Sequence, residues 1–206
     1  MAESCQAGSG PGVLVSGSAI GFYGDRSDEP LDETSSRGGG FLADVCVAWE
    51  AATRTAESAG IRVAHARTGI VLSPRGGLLG AQLPLFRLGL GGPLGPGTQW
   101  MSWISLRDEV SALCWLIDNE VCGPVNLVSP SPVTNAGFAA SLGRAVRRPA
   151  RLRTPALVPA VPFGRRLVAE LMLSSAVVRP NVLQEGGFIF ADTSLDDALR
   201  SELDLT

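Results

Sequence analysis

Apolar and polar positions along this chain fall into two periods. Val13, Leu14 and Val15 form a short unbroken apolar run, as expected of a parallel strand covered on both faces. Residues 24–40 are polar, with Pro30 and three consecutive glycines, and predict a surface loop. Over 41–59 the spacing changes. Phe41, Val45, Trp49, Ala52 and Ala56 recur every three or four residues, which predicts an amphipathic helix with Gly60 at its C′ position. Residues 61–67 return as a strand, and strand, helix, strand in that order implies a right-handed crossover and a parallel sheet.

Further helices are predicted over 78–88, from the segment 103–108 to about Asn119, and over 135–146, with a strand at 124–128. Beyond Pro149 the composition shifts to a proline-spaced apolar segment, a helix around 165–173 and a glycine-aromatic run at 186–190. Ser194-Leu-Asp-Asp197 has the form of a capping box opening a last helix over 195–203. The expected organisation is a disordered polar segment (1–12), an α/β domain (13–148) and a small, mainly helical C-terminal domain (149–206).

Composition narrows the class. At 206 residues, 45% hydrophobic and 18% charged, the chain suits a globular core with at most a small appendage. A net charge of −3 gives no electrostatic case for nucleic acid or an anionic membrane. No apolar run approaches ~20 residues, so no transmembrane helix is expected, and residues 1–12 lack the pattern of a signal peptide. Cys5, Cys46, Cys114 and Cys122 show no metal-ligand spacing; they read as idle thiols of a reducing cytoplasm, and no metal site is expected. All 17 basic residues are arginine.

The run Val13-Leu-Val-Ser-Gly-Ser-Ala-Ile-Gly-Phe-Tyr-Gly24 is similar to the strand and turn that carry the active-site serine of extended short-chain dehydrogenases/reductases, written Ser-Ser-x-x-x-Tyr-Gly. Trp49-Glu50, Arg67-Thr-Gly-Ile-Val-Leu-Ser-Pro74, Phe86-Arg-Leu-Gly-Leu-Gly-Gly-Pro-Leu-Gly95, Gln99-Trp100 and Trp103-Ile-Ser-Leu-Arg-Asp108 extend the likeness. Together they resemble the atypical "epimerase family" branch of that superfamily, which carries its own small C-terminal domain. The resemblance implies the C-terminal half of a doubly wound parallel Rossmann sheet, with NAD or, by preference, NADP as cofactor. In the family a glycine-rich dinucleotide-binding half comes before the serine strand. Here that strand starts at Val13, so the expectation is a truncated fold whose first strand offers its edge to a partner or a second copy.

Extended members pair a tyrosine with a lysine as Tyr-x-x-x-Lys on the helix after the serine strand, so that the phenol exchanges a proton while hydride moves. This chain has one tyrosine, Tyr23, and no lysine. By resemblance Ser18 best matches the serine and Ser16 is a second candidate; Tyr23 is a lone candidate acid. The opposing readings are close packing for the serines and core packing for the phenol. Ser16, Gly17, Ser18, Arg67, Thr68, Gly69 and Val71 are expected around the cofactor, and Gln99, Trp100 and Trp103 along a substrate cleft. The glycine-rich run 89–97 follows a helix, so it is not a phosphate loop. Where the family often has Trp-Ile-His, this chain has Ser105. His65 reads as a satisfied core histidine, Glu50 as a partner within the fold, and Arg144, Arg147, Arg148, Arg151 and Arg153 as solvated surface. The implied function is that of an NAD(P)-dependent epimerase or oxidoreductase-family protein acting on an unknown small substrate. The alternatives are a non-catalytic nucleotide-binding or cell-division-related regulator, or an inactive fragment.

Overall fold

The computed structural model describes residues 11–153 and 174–204. In chain order they form β1 (Val13–Ala19), a 3-10 turn (Ile20–Tyr23), β2 (Pro30–Leu31), α1 (Phe41–Ala51), α2 (Arg54–Ser58), β3 (Arg62–Thr68), β4 (Ile70–Leu72), α3 (Gly77–Arg87), β5 (Trp100–Met101) and β6 (Trp103–Ser105). Then come α4 (Leu106–Asp118), β7 (Gly123–Leu127), β8 (Val133–Thr134), α5 (Asn135–Ala145), β9 (Val177–Val178), α6 (Asn181–Glu185) and α7 (Leu195–Glu202). The helix expected around 165–173 lies outside the described residues.

The central sheet runs β1-β3-β7, all parallel, with Ser18 opposite Arg67 and Thr68 opposite Leu127. This is the α/β architecture expected of half a doubly wound sheet. Because strand side chains alternate, Thr68 reaches Glu109 on α4 while Arg67 reaches Glu50 on α1. The α4 face is apolar: Ala112 and Leu116 bury against Ala64, Ala66, Val125 and Leu127. Ser105 caps α4, its hydroxyl accepting from the Asp108 N–H. At the helix's other end the Arg62 guanidinium donates to the carbonyls of Leu116, Ile117 and Val121, where the helix dipole favours a cation.

The opposite face is polar, and it changes the expected helix. Phe41 and Trp49 are 53% and 52% exposed, and the buried positions are Ala43, Cys46, Thr53 and Ala56. The helix therefore presents small and polar side chains to Ser18, His65 and Arg67, not its largest apolar ones. It also breaks into α1 and α2, as the Thr53 hydroxyl donates back to the Glu50 carbonyl at 2.8 Å. The His65 Nε2 lies 2.9 Å from the same hydroxyl and so serves as its donor.

The segment 24–40 is more than a surface loop. Leu31 is fully buried beside Tyr23 and Val178, and β2 pairs with β9. Residues 174–204 share the first unit's cores: Leu195, Ala198 and Leu199 pack with Leu72, Leu83, Trp103 and Phe138, and the Asp108 carboxylate accepts from the Ala191 and Asp192 N–H groups. Ser194 opens α7, but its side chain makes no cap hydrogen bond. Among the described residues no strand pairs with the outer edge of β1. No helix among them is long and apolar enough to cross a membrane.

Candidate functional site

At the carboxyl ends of β1 and β3 the chain turns away from the sheet and leaves a cleft of about 250 Å³. Ala19, Ile20 and Gly21 supply one wall, Leu42, Val45, Cys46 and Trp49 of α1 a second, and Thr68, Gly69 and Ile70 a third. Trp100, Ser102, Ser174 and Ala176 close it. Two glycines make these turns possible. Gly24 has φ +64°, and a Cβ there would sit 2.7 Å from the Gly39 carbonyl oxygen. A Cβ on Gly69 would meet the Ser102 carbonyl oxygen at 2.6 Å, so β3 can pass into β4 only with glycine at that position.

Beneath the cleft lies a buried polar network. Arg67 grips Glu50 with two parallel hydrogen bonds, Nε to Oε1 at 2.8 Å and Nη2 to Oε2 at 2.9 Å. Its Nη1 donates to the Tyr23 hydroxyl at 3.0 Å, which donates in turn to Asn126 Oδ1 at 2.8 Å. Ser18 Oγ donates to Glu50 Oε1 at 2.8 Å. The guanidinium also stacks on Phe22, 3.5 Å from the ring centroid. Burial alone would raise the Glu50 carboxyl, but the hydrogen bonds and charge of Arg67, with Ser18, outweigh it and hold Glu50 below its ordinary value. Tyr23 moves the other way: burial pushes its phenol up, and the bonds from Arg67 and Asn126 only partly offset this.

The expected site residues separate into three groups. Thr68, Gly69 and Trp100 line the cleft. Ser16, Gly17 and Ser18 instead border a wider open groove of about 600 Å³, shared with Leu14, Trp49 and Thr53. The remainder are committed to packing. Tyr23 is fully buried and its hydroxyl is spent on Arg67 and Asn126, which removes it from the cleft as an acid. Trp103 is fully buried with its indole N–H donated to the Ser131 carbonyl, and Gln99 is buried with Nε2 donating to the Leu94 carbonyl. Neither Trp103 nor Gln99 lines the cleft. Val71 packs against the core under α4. Arg67 is buried in its ion pair with Glu50, which Ser18 also joins from the edge of the groove.

The residues that do form the walls were within reach of the sequence. Counting back from Tyr23-Gly24, the second serine of Ser-Ser-x-x-x-Tyr-Gly falls on Ala19, and it is Ala19 that lines the cleft. On α1 the cleft-facing residues four apart, the spacing of Tyr-x-x-x-Lys, are Leu42 with Cys46 and Val45 with Trp49, and neither pair holds a tyrosine or a lysine. The Cys46 thiol is raised by burial, despite its contact to the Ala19 carbonyl oxygen at 3.6 Å. Ser102 accepts from the Val178 N–H and donates to the Ala176 carbonyl; Thr68 donates to Glu109. The described walls can therefore enclose and orient an apolar group, and among the described residues lining them there is no carboxylate, imidazole or phenol to move a proton.

Comparison with known proteins adds ancestry to this geometry. Residues 154–202 match the family described as "Domain of unknown function (DUF1731)". An epimerase family protein of Mycobacterium bovis is 47% identical over 194 residues, covering 94% of this chain and 64% of the relative. The solved human epimerase family protein with NADPH is similar at a TM-score of 0.82 and 30% identity, covering 100% of this chain and 72% of that one. A nucleoside-diphosphate sugar epimerase from Corynebacterium glutamicum is similar at a TM-score of 0.79 and 37% identity, covering 98% of this chain and 40% of that one. This chain thus spans 64% of the length of its mycobacterial relative.

Proposed function

Because the chain belongs to the epimerase family, an atypical branch of the short-chain dehydrogenases/reductases, we propose that its cleft takes the nicotinamide end of NAD(P) beside a small substrate. The observation that carries this reading is position: the cleft opens at the carboxyl ends of parallel strands β1 and β3, where open α/β sheets bind nucleotides. Size and lining agree. Ligand pockets run to about 300–1,000 Å³, so about 250 Å³ houses a ring and a small neighbour but not a whole dinucleotide. Among the described residues no arginine lines it, so those walls leave the diphosphate to be gripped elsewhere. When bound, the cofactor supplies hydride transfer. The chain's own part is to pack Ala19, Leu42 and Ile70 against the ring, exclude water, and hold the β3 end in place through Arg67 and Glu50.

A second reading, nucleotide binding without turnover, is favoured by α1, whose cleft-facing residues Leu42, Val45, Cys46 and Trp49 include no tyrosine or lysine for a proton relay. Both readings are tested by titrating the 206-residue protein with NADPH and following its fluorescence, then assaying NADPH consumption against a panel of small carbonyl compounds. Saturable binding with turnover supports the enzyme; saturable binding with none across the panel supports the second reading. Absence of saturation below about 1 mM contradicts both. The match over 154–202 supports treating 149–206 as a C-terminal unit of the family.

A further inference from the structure

Outside the cleft, and sharing none of its described lining residues, a groove of about 750 Å³ lies where the carboxyl ends of α3 and α5 meet α7. We infer that this groove is a second ligand site, which takes a phosphorylated small molecule on Arg87 and Arg147. Four arginines line it, Arg87, Arg144, Arg147 and Arg200, against two aspartates, Asp196 and Asp204. The described walls thus carry a positive surplus in a chain of net charge −3. Two of the arginines are already engaged. Arg144 Nη2 donates to both Asp196 carboxylate oxygens at 2.9 Å and to Ser141 Oγ at 2.8 Å, and Arg200 Nη1 donates to Asp197 at 3.1 Å. The Arg87 and Arg147 guanidiniums have no such partner among the described residues.

The backbone that presents this pair is fixed. Arg148 Nε donates to the Arg87 carbonyl at 3.2 Å and ties the end of α3 to the end of α5. The Arg147 N–H donates to the Arg144 carbonyl at 3.1 Å and the Arg148 N–H to the Gly143 carbonyl at 2.9 Å, the two bonds that close a helix through a left-handed residue. Arg147 is that residue, at φ +55°, where glycine is usual and a side chain carries a steric cost. Asp204, just past α7, stands at φ +51° and lines the same groove. Helix dipoles account for cations in a last turn, as at Arg87 and Arg144. They give no reason to hold an arginine in a strained backbone one step beyond the helix, and strain of this kind points to a binding role. Phosphate suits the place: a guanidinium binds its oxygens in pairs, and two unpaired arginines match the two charges of a phosphate monoester or a diphosphate. Val146 and Leu203 offer apolar surface to the rest of the molecule, and the volume falls within the ~300–1,000 Å³ of ligand pockets.

Isothermal titration calorimetry of inorganic pyrophosphate into the 206-residue protein at constant ionic strength tests this, with wild type, Arg147→Gly and Arg87→Gln. Each variant removes charge-assisted hydrogen bonds, so binding should weaken by roughly tenfold to a hundredfold in both. Glycine also relieves the left-handed backbone, so Arg147→Gly should melt at or above the wild-type temperature while losing the ligand. A merely structural arginine would give the opposite melt. No saturable binding to wild type below about 1 mM overturns the inference, as does wild-type affinity in either variant or a lowered melting temperature in Arg147→Gly. NADPH titrated into the same proteins separates the two sites. An NADPH affinity that falls in parallel with that for pyrophosphate would make the groove part of the cofactor site and overturn its assignment as a second one.

Discussion

Replacing Arg67 by methionine removes the cation from a pair whose side chains are only 4% and 14% exposed. Two unit charges about 4 Å apart at an effective dielectric near 20 attract by about 4 kcal/mol, and removing one member of such a buried pair typically costs about 3–5 kcal/mol, because the other charge stays behind uncompensated. Arg67→Met should therefore lower the unfolding free energy by about 3–5 kcal/mol, a large share of a domain's usual ~5–15 kcal/mol. Glu50→Gln should cost a similar amount by stranding the guanidinium. The double variant strands neither charge, so its loss should fall short of the sum of the single losses by at least about 2 kcal/mol. Urea unfolding followed by far-UV circular dichroism on the four proteins measures this cycle directly. Additivity within about 0.5 kcal/mol would refute the reasoning, since it would mean that solvent already screens the pair.

Tyr23→Phe should cost about 1–3 kcal/mol by leaving Asn126 Oδ1 and Arg67 Nη1 without their hydroxyl partner, yet leave NADPH affinity within twofold; a loss of binding without a loss of stability would return Tyr23 to the site. Gly69→Ala should destabilise by about 1–3 kcal/mol, because the new Cβ meets the Ser102 carbonyl oxygen and Val128, and a thermal melt equal to wild type would contradict this. Burial pushes the carboxyls of Glu33 and Glu109 above their ordinary 4.5, so their contribution to stability is full below 4.5 and lost as pH rises through the raised folded values. Glu50, held low, contributes above 4.5 and is lost as pH falls through its depressed value. Stability should thus rise on mild acidification from neutrality and fall in stronger acid, and Glu109→Gln should flatten the rise; a pH profile unchanged in that variant would count against the assignment.

Much of the sheet was readable from the residues, because β1, β3 and the apolar face of α4 obey the rule that buried surfaces are apolar. The orientation of α1 was not, since the same rule points Phe41 and Trp49 inward. The face they would cover carries Ser18, His65 and Arg67, so Ala43, Cys46 and Thr53 turn inward instead. A motif likewise marks a segment without saying which way each side chain points. Trp100 and Trp103 lie three apart in one block, yet Trp100 meets the cleft and Trp103 fills the core. The network of Ser18, Tyr23, Glu50, Arg67 and Asn126 draws on four separate stretches of chain, and no local spacing announces it. Ser18, Tyr23 and Arg67 were visible as candidates for chemistry and Glu50 as a partner within the fold, while Asn126 gave no signal; the structure joins all five in one buried network.

The central claim is that the nicotinamide ring of NAD(P) enters the cleft bounded by Ala19, Leu42 and Ile70. Saturation-transfer NMR of NADPH on the full chain reads this proton by proton. The expected result is strongest transfer to the nicotinamide ring protons, with that transfer largely abolished in Ala19→Leu. Transfer confined to the adenine protons, or nicotinamide transfer that survives the leucine unchanged, would contradict it.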